Sequence, residues 1–310
     1  MKRSAVLFFI SFCMANAMAQ SSGQPVVFNL SSSDLFVNVM GNAKPALPAF
    51  PAVGKKPGKV CGYVRDLKGR AVKGAYIGVR STVAGGLYSG NSGETDAKGY
   101  YEVAVPWGSA HFYAGAVTVD YGEGRAAVAL AAADGNVDNF GSANGAVKNF
   151  VLLPYGIADR DGASEKPVWA SNYFGGAIHV SYVLAEEGDQ WAGKSNLPYN
   201  STIEITLKPA GEMMDSSVIK TFVIKKEAGG LGFNINNIPV GKYTITAKLT
   251  NGQPLKMLTI GYVSQPLFGL KPNNATGSSS IYFTPHGAKA ALTVPNLGNW
   301  DPVEVRLEMP

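Results

Sequence analysis

The sequence holds three histidines, and metal-dependent and general-base chemistry would both look to them first. His111 precedes Phe112-Tyr113-Ala114, His179 precedes Val180-Ser181-Tyr182, and His286 precedes Gly287-Ala288-Lys289. A zinc hydrolase needs a second histidine or an acid at short spacing, as in H-x-x-E or H-E-x-x-H. None of the three has one, so no metal site is expected. A serine nucleophile would sit in a G-x-S-x-G elbow, and Gly90-Asn91-Ser92-Gly93 falls one residue short of it. Glycosidic chemistry asks only for two carboxylates roughly 5–10 Å apart, a requirement too loose to read from a sequence. A hydrolase with dispersed carboxylates is therefore the rival of a different class. The expectation is a protein with no catalytic residues and no cofactor.

Aromatic residues give the positive signal. Trp107, Tyr113 and Tyr121 fall near one turn, and Trp169, Tyr173, Phe174, Trp191 and Tyr199 fall in loop-like stretches further on. Flat rings on a rigid sheet suit sugars, whose C–H bonds stack on π-faces while the hydroxyls stay wet. Trp107, Tyr113, Trp169 and Trp191 are the candidate ligand-binding residues. Trp107 leads them because it occupies the centre of a tight turn, where side chains commonly point outward. The competing reading packs these rings into cores or between domains.

Two stretches must position these rings. In Phe233–Ala247 (FNINNIPVGKYTITA) a strand-like run meets Pro239 and Gly241, and then Tyr243, Ile245 and Ala247 alternate with Lys242, Thr244 and Thr246. Proline has no N–H for a ladder, and glycine supplies the freedom a reversal needs. Tyr101–Val105, Pro106-Trp107-Gly108 and Ala110–Val119 repeat the pattern. Read as two hairpins, they predict two β-domains in tandem. The 310 residues accommodate two domains, and 37 glycines with 18 prolines favour short strands and turns over long helices. The predicted fold class is all-β, with two tandem antiparallel β-sandwiches of transthyretin-like or Ig-like type. Residues 58–155 form the first, 156–170 a polar linker, and 171–310 the second. Gly85–Gly93 reads as a glycine-rich loop and Ala290–Val294 as a strand. Asp159-Arg160-Asp161-Gly162 starts like a calcium loop, lacks the later oxygen ligands, and reads as a solvated turn.

The first sandwich resembles a known module. Val60, Gly62, Val64, Asp66 and Gly69 give V-x-G-x-V-x-D-x-x-G. Gly74-Ala75-Tyr76-Ile77-Gly78-Val79, then Thr95, Asp96, Gly99, Tyr100 and Tyr101, then Val105, Pro106 and Gly108 follow in order, with Asn149-Phe150-Val151-Leu152 closing. This order resembles the carboxypeptidase regulatory-like domain. The resemblance implies a prealbumin-like sandwich serving as a non-catalytic accessory, stalk or surface module of an exported bacterial protein. It covers about a third of the chain. The sequence departs from the family at Tyr121–Asn149, a long Gly/Ala/Asn-rich insert, and at Ala110, where the family has tyrosine. Ile238, Pro239, Gly241 and Tyr243 carry a similar signature in the second sandwich, whose family is read as prealbumin-like or Ig-like.

The N-terminus reads as a signal peptide over residues 1–19. Lys2 and Arg3 precede the apolar run Ala5–Phe12, and Ala17-Met18-Ala19 is a small-x-small cleavage site. Phe12 ahead of Cys13 disfavours lipidation, so export into the periplasm, to the cell surface or beyond is expected. Cleavage removes two cations from a formal charge of +5, leaving a weak, dispersed positive balance that excludes nucleic acid as a partner. It also leaves Cys61 without an internal partner, expected as a buried thiol, with an intermolecular disulfide as the alternative. No later segment is long and apolar enough to span a membrane. Residues 20–57 form a Ser/Pro-rich leader in which Val26–Leu30 and Leu35–Val39 are strand-like and Pro45, Pro48, Pro51 and Pro57 favour an extended tether. The leader is expected to be a spacer with a strand or two docked on the first sandwich; the alternative pairs it with another protein's sheet edge. The functional expectation is an exported, non-catalytic binding or structural protein, with a cell-surface or periplasmic protein or polysaccharide as its partner. A carbohydrate-binding accessory protein is the alternative.

Overall fold

The computed structural model describes residues 24–42, 44–82, 88–185, 193–211, 213–215, 220–261 and 266–310. The expected signal peptide lies outside them. The fold is all-β, with sheets packed as sandwiches.

Strands Lys59–Asp66, Tyr76–Thr82, Tyr88–Glu94, Tyr100–Ala104, Ser109–Tyr121, Gly124–Ala132 and Phe150–Leu152 dominate a nine-stranded sheet. Their alternation faces one core. Val60, Val64, Tyr101 and Val103 come from one side, and Ile77, Val79 and Phe112 from the other. Phe150 closes the core, its ring 6.3 Å from that of Tyr101 and 5.3 Å from that of Phe112. Each such burial contributes about 1.5–3 kcal/mol. Cys61 is fully buried, its Sγ 3.7 Å from the Gly54 carbonyl. Of the expected loop Gly85–Gly93, residues 85–87 lie outside the described residues and the rest departs from expectation: Tyr88–Glu94 is a strand paired with Tyr76–Thr82 along its whole length. Its small residues admit neighbours that larger ones would displace; a Cβ on Gly93 would stand 3.1 Å from Val103.

The second sandwich has two six-stranded sheets. One carries Thr202–Pro209, Phe222–Glu227, Tyr243–Leu249, Gly269–Lys271 and Ser278–Tyr282. The other carries Gly176–Ser181, Gly232–Ile238, Lys256–Thr259, Asn274–Thr276 and Val303–Glu308. The sixth strand of each comes from the leader. Val26–Leu30 lies parallel to Phe222–Glu227, and Phe36–Asn38 lies parallel to Gly232–Ile238. The two leader strands thus dock on the second sandwich and not on the first, one on each of its sheets, while the proline-rich remainder of the leader runs along the first, where Phe50 packs beside Ala129 and Val151 and Lys56 pairs with Glu102. Val37 and Val39 are buried on the second sandwich. Between the two strands, the fully buried Lys226 donates from Nζ to the carbonyls of Ser31 (2.5 Å) and Ser32 (2.9 Å). Burial pushes the Lys226 amine down, while Asp34 and Glu227 pull it up.

The two Pro-x-Gly stretches are not hairpins. Gly232–Ile238 and Tyr243–Leu249 lie in different sheets. Tyr100–Ala104 pairs with Lys59–Asp66, whereas Ser109–Tyr121 pairs with Tyr76–Thr82 and Gly124–Ala132. Each turn is an arch whose two strands face each other across a core. Ala290–Val294 also differs from expectation. It contains a 3-10 turn at Ala290–Leu292, within a segment that crosses the first sandwich instead of joining a sheet. Gly115 N donates to Thr293 O, Ala127 N to Gly287 O and Asn296 N to Leu130 O. Tyr121 enters the second sandwich from the other direction. Its hydroxyl donates to Gly241 O (3.1 Å) and accepts from Phe283 N (2.9 Å), and its ring lies among Phe268, Tyr282 and Trp300. Between the sandwiches, Asp159 caps a short helix, Arg160–Glu165, by accepting from Gly162 N.

Candidate binding site

The candidate aromatic residues are spread over separate elements. Trp107 stands on the arch between Tyr100–Ala104 and Ser109–Tyr121 and is 74% exposed. The arch is braced from both sides: Ser81 Oγ donates to Pro106 O (2.6 Å), and Gly108 N donates to Ser142 Oγ (2.9 Å). Gly108 holds φ +134°, which a side chain would strain. Trp107 is therefore presented on a fixed support.

Tyr113 is the extra residue of a bulge, since Gly78 opposes Ala114 and Val79 opposes Phe112. Its ring lies across Gly78, where a Cβ would come within 2.5 Å of it. The Arg80 guanidinium sits 4.6 Å from the ring centroid, and the Tyr113 and Tyr76 hydroxyls share a 3.2 Å hydrogen bond. That bond and burial push the Tyr113 hydroxyl up. Beside it, burial and Arg80 push the His111 imidazole down, which keeps it neutral at physiological pH. The ring is occupied by its own protein.

Trp169 is 54% exposed, with the Lys166 ammonium 4.4 Å from its ring centroid. Asn236 fastens the segment by donating from Nδ2 to the carbonyls of Pro167 and Val168. Trp191 lies outside the described residues. Tyr121, Tyr173 and Phe174 are buried in packing, as the competing reading expects.

One sequence pattern was missed. Gly188–Ser195 spells G-x-x-x-x-G-K-S, the phosphate-loop spacing, which binds phosphate only where a helix N-terminus follows it. Residues 186–192 lie outside the described set. Beyond Gly193, Leu197 makes an isolated bridge to Leu184 and Pro198 follows, with no helix in that stretch. The spacing therefore lacks the setting that gives it chemistry.

A cleft of about 670 Å³ opens between the two sheets of the second sandwich. Its apolar lining is the exposed Ile260, Pro266 and Pro302 together with the buried Phe268, Leu270 and Val303. Its polar groups are Thr259, Asn273, Thr284, Asp301 and Glu304. Gly269–Lys271 is the edge strand of one sheet and forms one wall; Thr259 and Val303 come from the other sheet. Phe268 stacks on Tyr121, and Lys271 Nζ lies 3.3 Å from Glu123 Oε2, so the wall is tied to the first sandwich. Lys271 also donates to Pro266 O (2.5 Å). Asp301 Oδ1 faces His286 Nδ1 at 3.0 Å. The structure thus brings two carboxylates, Asp301 and Glu304, to one cleft. Asp301 is half exposed and Glu304 is exposed. A carboxylic acid that protonates a leaving group works from an apolar, water-poor setting, which neither occupies. Sequence reasoning missed these residues because four separated stretches supply them and each reads locally as strand or turn.

Among the described residues, no group of three or more His, Cys, Asp or Glu is placed to hold a metal ion, and no helix is long and apolar enough to cross a membrane.

No family model matches the chain, and no curated protein matches it. Among solved structures, one described as the structure of the streptococcal ancillary pilin aligns at 11% identity with a TM-score of 0.22. The alignment covers 78% of this chain and 62% of that one, so this chain spans less than two thirds of its length. Similarity at that level carries no argument about fold or role.

Proposed function

We propose that this chain is an exported, non-catalytic binding protein whose ligand enters the cleft of the second sandwich, the first sandwich serving as its accessory support. The observation that carries the reading is the cleft: about 670 Å³, partly apolar and partly polar, with solvated carboxylates. That size lies within the ~300–1,000 Å³ usual for small-ligand sites. Export rests on the Lys2-Arg3 start, the Ala5–Phe12 apolar run and the Ala17-Met18-Ala19 cleavage pattern. The carboxypeptidase regulatory-like reading of residues 58–155 is supported by where its motif residues fall. Val60, Gly62 and Val64 lie on one strand, Tyr76–Thr82 is the next, and Pro106-Trp107-Gly108 is an arch.

A second reading, carbohydrate capture at the first arch, is favoured by the exposure of Trp107 on its braced support. A dispersed-carboxylate hydrolase is the reading both displace. The test incubates the mature chain, from Gln20, with cell-envelope polysaccharide fractions, and follows co-sedimentation and the release of reducing ends together. Saturable binding without release is expected. Multiple-turnover release would overturn the non-catalytic reading.

A further inference from the structure

We propose that the cleft of the second sandwich is a saccharide site for a short, neutral, hydroxyl-rich glycan. The inference deepens the reading of the chain as a binding protein and rests on it.

The lining selects by chemistry. A wholly apolar ligand would cover Thr259, Asn273, Thr284, Asp301 and Glu304 and leave buried polar groups without partners, at a cost of about 1–3 kcal/mol each. An anion would meet Asp301 and Glu304, while the one lining ammonium, Lys271, is already engaged by Glu123 and Pro266 O. The ligand must therefore supply hydrogen-bond donors without negative charge. Carboxylates accept from two hydroxyls at once, and an amide both accepts and donates. Glu304, Asn273 and the Asp301 oxygen that does not face His286 are thus suited to the neighbouring hydroxyls of a sugar ring, and the Thr259 and Thr284 hydroxyls adapt to either role. The exposed Ile260, Pro266 and Pro302 offer an apolar surface to the C–H face of the ring. A simple ammonium would satisfy the acids but offers no acceptor to the Asn273 Nδ2 donors or the two threonine hydroxyl donors; a polyol offers donors and acceptors together.

The two strand walls of the site are fixed. Its walls are strands of two sheets that share a core, and Phe268 and Lys271 are held against Tyr121 and Glu123. Gly269, at φ +86°, keeps one wall low; a Cβ there would stand 3.6 Å from Thr259 Cγ2 on the opposite wall. These walls need no ordering by the ligand, which favours affinity.

The experiment is calorimetric titration of the mature full chain with neutral oligosaccharides built on glucose, xylose and N-acetylglucosamine, alongside a polyuronate and a diamine. Asn273→Ala and Glu304→Gln are expected to weaken binding of the preferred neutral glycan by about tenfold each, the effect of losing one or two hydrogen bonds. Thr259→Trp, which fills the cleft from a solvent-facing position, is expected to abolish it, and Trp107→Ala to leave it unchanged. Loss of binding in Trp107→Ala with none in the cleft variants would overturn the proposal. So would binding of only the polyuronate or the diamine, or no binding by a folded sample. Release of reducing ends that Glu304→Gln abolishes would overturn the non-catalytic reading and leave the saccharide site standing.

Discussion

Tyr121 links the two halves of the molecule through one hydroxyl, donating to Gly241 O and accepting at Phe283 N. Tyr121→Phe keeps the ring packing and strands both backbone groups, so it should lower unfolding free energy by about 1–3 kcal/mol in urea denaturation. Trp107→Ala removes an exposed ring and should change it by less than about 0.5 kcal/mol. Glu102 gives a pH-dependent counterpart. Its carboxylate is held by Lys56, Lys59 and Tyr100, which pull its pKa down to about 2. A folded value below the ordinary 4.5 means that its contribution is present above about pH 4.5 and is lost as the pH falls toward 2. A carbon-detected NMR titration should place the Glu102 midpoint near 2; a midpoint near 4.5 would show that the lysines do not hold it. At this scale the sequence was legible in part. Trp107 is exposed as its turn position suggests, whereas Tyr113, equally aromatic, is covered because a bulge lays it on Gly78 beside Arg80. No local pattern marks a bulge.

Strands were more legible than their partners. The alternations at Ile203–Leu207 and Tyr243–Ala247 are strands with those residues buried. Local alternation states that a segment has two faces but not which sheet it joins. The Pro-x-Gly stretches therefore read as hairpins and fold as arches, because Tyr243 and Phe233 bury toward one core from separate sheets. Likewise the leader strands were visible as strands, while their seat on the second sandwich depends on pairings nearly two hundred residues away, Val26 beside Phe222 among them. Ala290–Val294 has strand-like composition, yet its backbone groups are taken up by the first sandwich. Deleting residues 24–42 removes both edge strands and uncovers the surface that Val37 and Val39 bury, so it should destabilise the chain by about 3 kcal/mol or more. Hydrogen exchange should then quicken in Phe222–Glu227. Lys226→Met, which loses the bonds to Ser31 and Ser32, should quicken exchange in the leader first; unchanged exchange there would contradict the anchoring role.

The whole molecule is two sandwiches joined by a crossing segment, a shared tyrosine and a leader that starts in the second sandwich before the chain builds the first. These connections predict a single cooperative thermal transition, with calorimetric and van't Hoff enthalpies in agreement; two resolved transitions would mean that the junction contributes little. They also place the cleft against the junction, where Lys271 and Phe268 meet Glu123 and Tyr121. The measurement that bears most directly on the cleft as the binding site is an amide chemical-shift map of the chain from Gln20 onward, titrated with a neutral oligosaccharide. The account predicts saturable shifts concentrated at Thr259, Gly269–Lys271, Asn273, Thr284 and Asp301–Glu304. Shifts centred on Trp107, or none at saturating glycan, would contradict it.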